Sequence, residues 1–194
     1  MRSLRELFLL KILKKKTMAH PEQATFCKSV KDKHPELFSD VDVLDVGSLD
    51  INGNNRYLFS SYTYTGIDLG EGKNVDVVSK GHEYAANKEY DVVISTECFE
   101  HDQHWEETIL NCIRLTKSKG LFMFTCATTG RQEHGTTRTT PQDSPFTHKL
   151  FSDYYRNLTE YDVRQIPGFD DSFSEFEFST NNNTKDLYFY GIKK

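Results

Sequence analysis

Residues 41–53 read VDVLDVGSLDING and residues 64–70 read YTGIDLG. The first stretch is a run of strand formers stopped by Gly47; the second ends a strand at Asp68, 21 residues further on. Strand, glycine turn, short helix, strand and terminal carboxylate make up a nucleoside-binding α/β unit, in which that carboxylate clamps a ribose diol. Asp45, two residues before Gly47, decides which nucleoside is held. A dinucleotide site must receive a pyrophosphate at this turn, and an acid at the strand tip repels it. S-Adenosylmethionine carries a sulfonium and an ammonium instead, and the same acid attracts both. The fingerprint G-x-G-x-x-G is also missing, because Leu49 and Asn52 stand where its second and third glycines belong. The unit is read as a methyl-donor site.

Working outward, Pro21 opens a helix carrying Phe26 and Val30, which ends near His34 ahead of Pro35. Strand 1 is Val41 to Val46, followed by a short helix around Asn55 to Phe59. Strand 2 closes at Asp68, strand 3 covers Val75 to Val78, strand 4 Asp91 to Ser95 and strand 5 Leu121 to Cys126. Ile109, Leu110, Ile113 and Leu115 recur at helical spacing within Trp105 to Thr116, and Gly120 closes that connection. The strands are short apolar runs, as expected of strands covered on both faces. Phe173 to Phe178 and Leu187 to Ile192 flank Asn181-Asn182-Asn183 and predict an antiparallel hairpin. The expected fold is α/β: a doubly wound, mostly parallel, seven-stranded Rossmann-like sheet with one antiparallel edge strand in the C-terminal hairpin. The chain divides as one domain over residues 1–194. Its parts are N-terminal helices (1–40), a donor-binding core (41–135), a substrate-side insertion (136–172) and the hairpin (173–194).

The net charge of −5 over 194 residues disfavours nucleic acid as a partner, since phosphate binding calls for a basic face. Cys27, Cys98, Cys112 and Cys126 form no C-x-x-C pair and read as reduced, packed thiols of a cytoplasmic protein. The N-terminal MRSLRELFLLKILKKK has its longest apolar run broken at Lys11, too early for a membrane span or a signal-peptide core. Leu4, Leu7, Phe8 and Ile12 predict an amphipathic helix packed on the domain, with weak membrane-surface contact through Lys14 to Lys16 as the alternative.

In an open α/β sheet the ligand lies beyond the carboxyl ends of the strands. There stand Asp45 with Gly47 and Ser48, Asp68 with Leu69, Gly81 with His82, Thr96 with Glu97, and Glu100 with His101. Strand 5 leads into a loop bearing Arg131, Glu133 and His134. Taken together, VLDVGS, YTGIDL, YDVVISTECFEH and GLFMFTCATTGRQEHGT resemble the small class I S-adenosylmethionine-dependent methyltransferases across about residues 41–135; TPQDSPFTHKLFSDYYRNLTEYDV is similar to their substrate-side insertion. The resemblance implies that the turn Asp45 to Ser48 faces the methionine part of the donor and that Asp68 takes the ribose hydroxyls. It also implies that Gly81 and His82 approach the adenine and that Thr96 and Glu97 touch the donor. The usual G-x-G-x-G is replaced by Gly47-Ser48-Leu49-Asp50-Ile51, with Asn52-Gly53 supplying turn chemistry beside it.

Methyl transfer is an in-line displacement at an activated electrophile, so positioning dominates its catalysis. A neutral amine needs nothing more, whereas a hydroxyl gains from a general base. His134 is the first candidate base and His101 the second. A metal centre built from His101, His104, Glu97 and Glu100 lacks a second ligand cluster at metal spacing, and none is expected. The leading reading is methyl transfer to an oxygen or nitrogen of a small molecule such as a sugar or other metabolite. The competing readings are a nucleic-acid methyltransferase, a donor-binding module without turnover, and a nicotinamide-dependent oxidoreductase. The oligomeric state is left open.

Overall fold

The structure is a computed structural model and describes residues 21–150 and 153–194. The expected N-terminal amphipathic helix lies outside the described residues. Helix α1 (Pro21–Lys33) precedes β1 (Ser39–Val46) and β2 (Ser60–Asp68), with only a 3-10 turn, Asn55–Leu58, on the connection between the two strands. Next come the short β3 (Val77–Val78), β4 (Tyr90–Thr96), helix α2 (Trp105–Leu115) and β5 (Thr116–Ala127). Two short helices, α3 (Thr147–Leu150) and α4 (Glu160–Arg164), lead to the hairpin β6 (Phe173–Asn181) and β7 (Asp186–Lys193).

The seven strands form one sheet in the order β3-β2-β1-β4-β5-β7-β6. Neighbours from β3 to β5 run parallel, while β7 pairs antiparallel with both β5 and β6. One strand is therefore reversed, as the sequence predicts, but it stands one place in from the edge. The outermost strand is β6, which shares the direction of the first five. The chain reverses its winding between β1 and β4, and a cleft opens there beyond the strand ends.

Alternate residues of the central strands feed two cores. Leu44, Val46, Val93, Phe122 and Phe124 pack with Trp105, Ile109 and Ile113 of α2 on one face. Val43, Val92, Ile94, Leu121 and Met123 pack with Cys27 and Val30 of α1 on the other. This two-sided burial explains the unbroken apolar runs of β1, β4 and β5. The hairpin is fastened by aromatic contacts: the rings of Phe124 and Phe189 stack at 5.1 Å, and Phe169 meets Phe189 at the same distance. All four cysteines are unpaired; Cys27, Cys112 and Cys126 are buried and Cys98 is half-buried.

Two connections differ from expectation. β5 starts at Thr116 rather than Leu121, because Thr116 pairs with Tyr90 before residues 117–120 bulge out and pairing resumes at Val92 and Leu121. Gly120 thus lies inside the strand, where the Asp91 and Lys117 carbonyls leave no room for a side chain. β3 keeps only Val77 and Val78 of the predicted four residues, both exposed on the sheet edge. Among the described residues, no helix is long and apolar enough to cross a membrane.

Candidate active site

Gly47 follows β1 with φ +78°, a conformation L side chains rarely adopt, and a Cβ there would stand 2.6 Å from Cys98. The turn that replaces G-x-G-x-G is held by the strand beside it. The N–H groups of Gly47 and Ser48 both donate to the Ile67 carbonyl at 3.0 Å, and the Leu49 N–H donates to Asp68 Oδ2 at 2.9 Å. Ser48 turns its hydroxyl to the Asn74 carbonyl (3.0 Å), and Asn74 Nδ2 returns a bond to the Ser48 carbonyl (2.9 Å). Asp50 gathers the Gly53 N–H, the Asn54 amide and the Lys73 ammonium. The loop lacks the glycines of G-x-G-x-G and is held instead by hydrogen bonds to the neighbouring strand and to the segment around residues 73–74.

This turn forms one wall of a cleft that Asp45, Gly47, Ser48, Asn52, Asp68, Leu69, Gly81, Thr96, Glu97 and His101 all line. Residues far along the chain from Gly47 complete it, including Thr96, whose Oγ1 receives Asn55 Nδ2 at 3.1 Å, and the opposite wall of residues 143–147. Phe146 on that wall rests against Gly70, where a Cβ would come within 2.6 Å of the ring. Asp68 accepts two backbone N–H groups, from Leu49 (2.9 Å) and Leu69 (2.7 Å). A carboxylate offers about four lone-pair positions, so capacity for a diol remains. Burial raises its pKa, and the two N–H bonds pull the other way.

Asp45 is 2% exposed, takes the Tyr64 hydroxyl at 2.6 Å and faces Asn55 Nδ2 at 3.4 Å. Desolvation pushes its pKa up to about 6, against the lowering effect of those bonds. Glu97 has φ +54° and accepts the Thr125 hydroxyl at 2.9 Å, which itself receives Gln23 Nε2 at 2.8 Å. Burial, then the nearby Asp186 carboxylate, pushes Glu97 up to about 7. His101 is 6% exposed, and burial lowers its pKa to about 3, which holds it neutral and makes it a weak base.

Two expected residues lie outside the cleft wall. His82 follows Gly81 in a 3-10 turn, where successive side chains point about 120° apart. With Gly81 on the cleft, the His82 ring turns away and packs on His104 at 4.2 Å. His134 is likewise not on the wall, but its ring meets His101 edge-on at 4.9 Å, and Tyr155 packs against both. Glu100, between Glu97 and His101, is fully buried and accepts the Ala127 N–H at 3.1 Å. The metal candidate His104 thus stands with His82, while the histidine brought to Glu100 and His101 is His134.

Sequence reading missed Gln23, Asn55, Cys98, Asp102 and the 143–147 wall. Gln23 had a signal: it shares the helical stripe of Cys27 and Val30, and a polar side chain on an apolar stripe calls for a partner.

The cleft carries five carboxylates, Asp45, Asp68, Glu97, Asp102 and Asp143, and among the described residues no Lys or Arg lines it. No curated protein matches the sequence. Solved structures share the fold at low identity. One is 1,6-didemethyltoxoflavin N1-methyltransferase from Burkholderia thailandensis, with 1,6-didemethyltoxoflavin and S-adenosylhomocysteine bound. It is 14% identical, with a TM-score of 0.55, over 87% of this chain and 76% of that one. A second is phosphoethanolamine N-methyltransferase 2 from Haemonchus contortus in complex with S-adenosylmethionine, 13% identical with a TM-score of 0.59; 86% of this chain and 52% of that one are covered. A third is magnesium protoporphyrin IX methyltransferase from Synechocystis, also with the donor bound, at 14% identity and 0.54, covering 89% and 80%. The family model described as a methyltransferase domain matches residues 18–161, most of the chain and all of β1 through β5 with its cleft, and the chain belongs to that family.

Proposed function

We propose that this chain transfers the methyl group of S-adenosylmethionine to a nitrogen or oxygen of a small molecule that is neutral or cationic where it enters the cleft. The observation that carries the reading is the acid-lined cleft at the β1–β4 switch point, without Lys or Arg among the described residues lining it. A pyrophosphate, a phosphorylated acceptor or a nucleic-acid backbone would meet uncompensated like charge there; a sulfonium, an ammonium or an amine would meet attraction.

In this reading Asp68 takes the ribose hydroxyls and Asp45 with the Gly47 turn faces the cationic methionine part. Ser48 shapes the turn beside the donor, since its hydroxyl, N–H and carbonyl are all engaged by Asn74 and Ile67. Asn52, Leu69 and Gly81 border the base, Thr96 and Glu97 the reacting centre, and His101 with His134 behind it the acceptor side. The acceptor lone pair is held about 3–3.5 Å from the methyl carbon, opposite the sulfur. The new bond forms to that carbon as its bond to sulfur breaks and the electron pair stays on sulfur. An amine acceptor then releases its proton to water.

A thermal-shift series with S-adenosylmethionine, S-adenosylhomocysteine and NAD tests the donor. Either donor form at about 100 times its Kd adds about 2.7 kcal/mol of stability, and NAD adds none. Stabilisation by NAD alone would overturn the assignment. Binding of both donor forms with no methylated product, from a broad panel of amines and hydroxyl compounds, would favour the module without turnover.

A further inference from the structure

We propose that Glu100, His101 and His134 form a binding site for a divalent first-row transition-metal ion of the Zn2+ kind, set against the cleft wall. Each of the three has one ligand atom within 4.8 Å of those of the other two. They reach this point from two loops on the same side of the sheet. The 3-10 turn Phe99–His101 after β4 supplies two, and the loop after the adjacent parallel β5 supplies the third.

The surroundings of the three groups are those that metal ligands require. Glu100 Oε1 is fixed by the Ala127 N–H, which leaves Oε2 as the ligand atom. His134 Nδ1 lies 3.1 Å from the Gln132 carbonyl, and the tautomer that donates there carries its lone pair on Nε2. Outer partners of this kind orient metal-bound imidazoles. Tyr155 packs on both histidine rings and donates its hydroxyl to the same Gln132 carbonyl at 3.2 Å. Gly135, at φ +68°, lets the loop pass over His101, for a Cβ there would stand 2.6 Å from its Cε1.

A second observation points to a ligand. Glu100 Oε2 and His101 Nδ1 are buried and accept or donate no hydrogen bond among the described residues, although both residues are more than nine-tenths buried. Buried polar atoms of native proteins are rarely left so. A proton shared between Glu97 and the adjoining Glu100 would settle the carboxyls but leave the His101 nitrogen unanswered. One cation answers both. Two imidazoles and one carboxylate suit Zn2+ and its first-row neighbours, whereas Mg2+ and Ca2+ prefer oxygen alone. Bonds of about 2.0–2.1 Å place tetrahedral ligand atoms about 3.3 Å apart, so the set closes on loading, and His134, the least buried of the three, is the group that moves.

Three protein ligands leave a position open for water or substrate. The use of that position rests on the methyl-transfer reading: an acceptor hydroxyl bound there would give up its proton to water more readily, and its alkoxide oxygen would bond to the methyl carbon as the carbon–sulfur bond breaks and its electron pair stays on sulfur. Metal binding itself requires no donor and can be tested without one.

The full chain, stripped with a chelator and dialysed, is titrated with Zn2+ by calorimetry and with Co2+ by visible absorption. We expect one ion per chain, Co2+ bands typical of nitrogen–oxygen coordination, and no competition from excess Mg2+. His134→Ala, on a half-buried loop position, should weaken Zn2+ binding beyond the about 10–100-fold that losing an outer partner costs. Glu100→Gln should do the same, and its circular dichroism reports whether it folds. His104→Ala should bind as wild type. Zn2+ affinity unchanged in His134→Ala, or no binding by the wild type, would overturn the site. S-Adenosylmethionine titrated into the metal-free protein tests the donor reading separately, so the two can fail independently.

Discussion

The two ends of the cleft are built in different ways. The end proposed to take the donor is made of strand tips: Asp45 and Gly47 leave β1, Asp68 leaves β2 and Thr96 leaves β4, each fixed by parallel pairing that runs to within a residue of the tip. The end proposed to take the acceptor is made of loops, with residues 143–147 on one side and His101 backed by His134 on the other. Ladder register positions the first set almost independently of the side chains around it. The second set depends on contacts between segments more than thirty residues apart. On the proposed reading, the donor falls on the rigid end, and the acceptor falls where loops can change without disturbing the sheet.

The largest effect should come from cutting the rigid end. If Asp68 takes the ribose diol as proposed, Asp68→Ala removes charge-assisted hydrogen bonding of about 1.5–3 kcal/mol, and donor affinity should fall about ten- to 150-fold. It also frees the Leu49 N–H, which loses its 2.9 Å acceptor, so the turn itself loosens. Calorimetry with S-adenosylhomocysteine measures the loss. Wild-type affinity in the variant would show that the carboxylate serves the turn alone, and the distinction between the two ends would lose its firmest point.

The same contrast governs what the sequence could reveal. Asp45, Gly47, Asp68 and Thr96 were legible because a strand, a turn and a strand-ending acid follow one another within a local stretch whose spacing the fold dictates. The sheet was legible for the same reason, its strands being buried on both faces. The position of β7 inside β6 was not, since a hairpin predicts that two strands pair but not which of them meets β5. The bulge at residues 117–120 hid the start of β5 because Ser118 and Lys119 are exposed and carry no apolar pattern. Glu100, His101 and His134 were all visible singly. Their meeting was not, because it depends on β4 and β5 being neighbours and on the path of a loop. His82 was misplaced through a property that composition does not carry, the 120° step of a 3-10 turn.

A smaller effect should appear in pH dependence, and it again reports on the rigid end. Asp45 has its folded pKa raised to about 6 from 3.8 by burial. A carboxyl raised on folding binds more protons in the folded state between those values, so stability falls as pH rises from about 4 through 6 and stays lower above it. Donor binding runs the opposite way, because a cation near Asp45 favours the ionised form. Between pH 5 and pH 7 the ionised fraction grows about tenfold for a group titrating near 6, and donor affinity should grow with it. Asp45→Asn should flatten most of that rise while making the unliganded fold more stable at pH 7. Equal slopes in wild type and variant would remove Asp45 from the donor's surroundings.

The smallest effect tests where one end of the cleft stops and the other begins. Phe146 comes from the loop wall yet rests on Gly70, two residues beyond Asp68, so it touches both ends at once. Its ring is half-buried, and Phe146→Ala should uncover apolar area equivalent to only about 1 kcal/mol or less of binding. The fold should be unaffected, because the sheet and its two cores do not include this residue. If Phe146 walls the donor, donor affinity should fall about two- to fivefold; Gly70→Ala, which pushes the same ring outward, should produce a loss of similar size. If it walls the acceptor, both variants should leave donor affinity unchanged and raise KM for the acceptor instead. Agreement between the two variants is the informative outcome, since one deletes the ring and the other only displaces it. A loss in Phe146→Ala without one in Gly70→Ala would mean that the ring moves freely, and that the loop wall does not depend on its seat on Gly70.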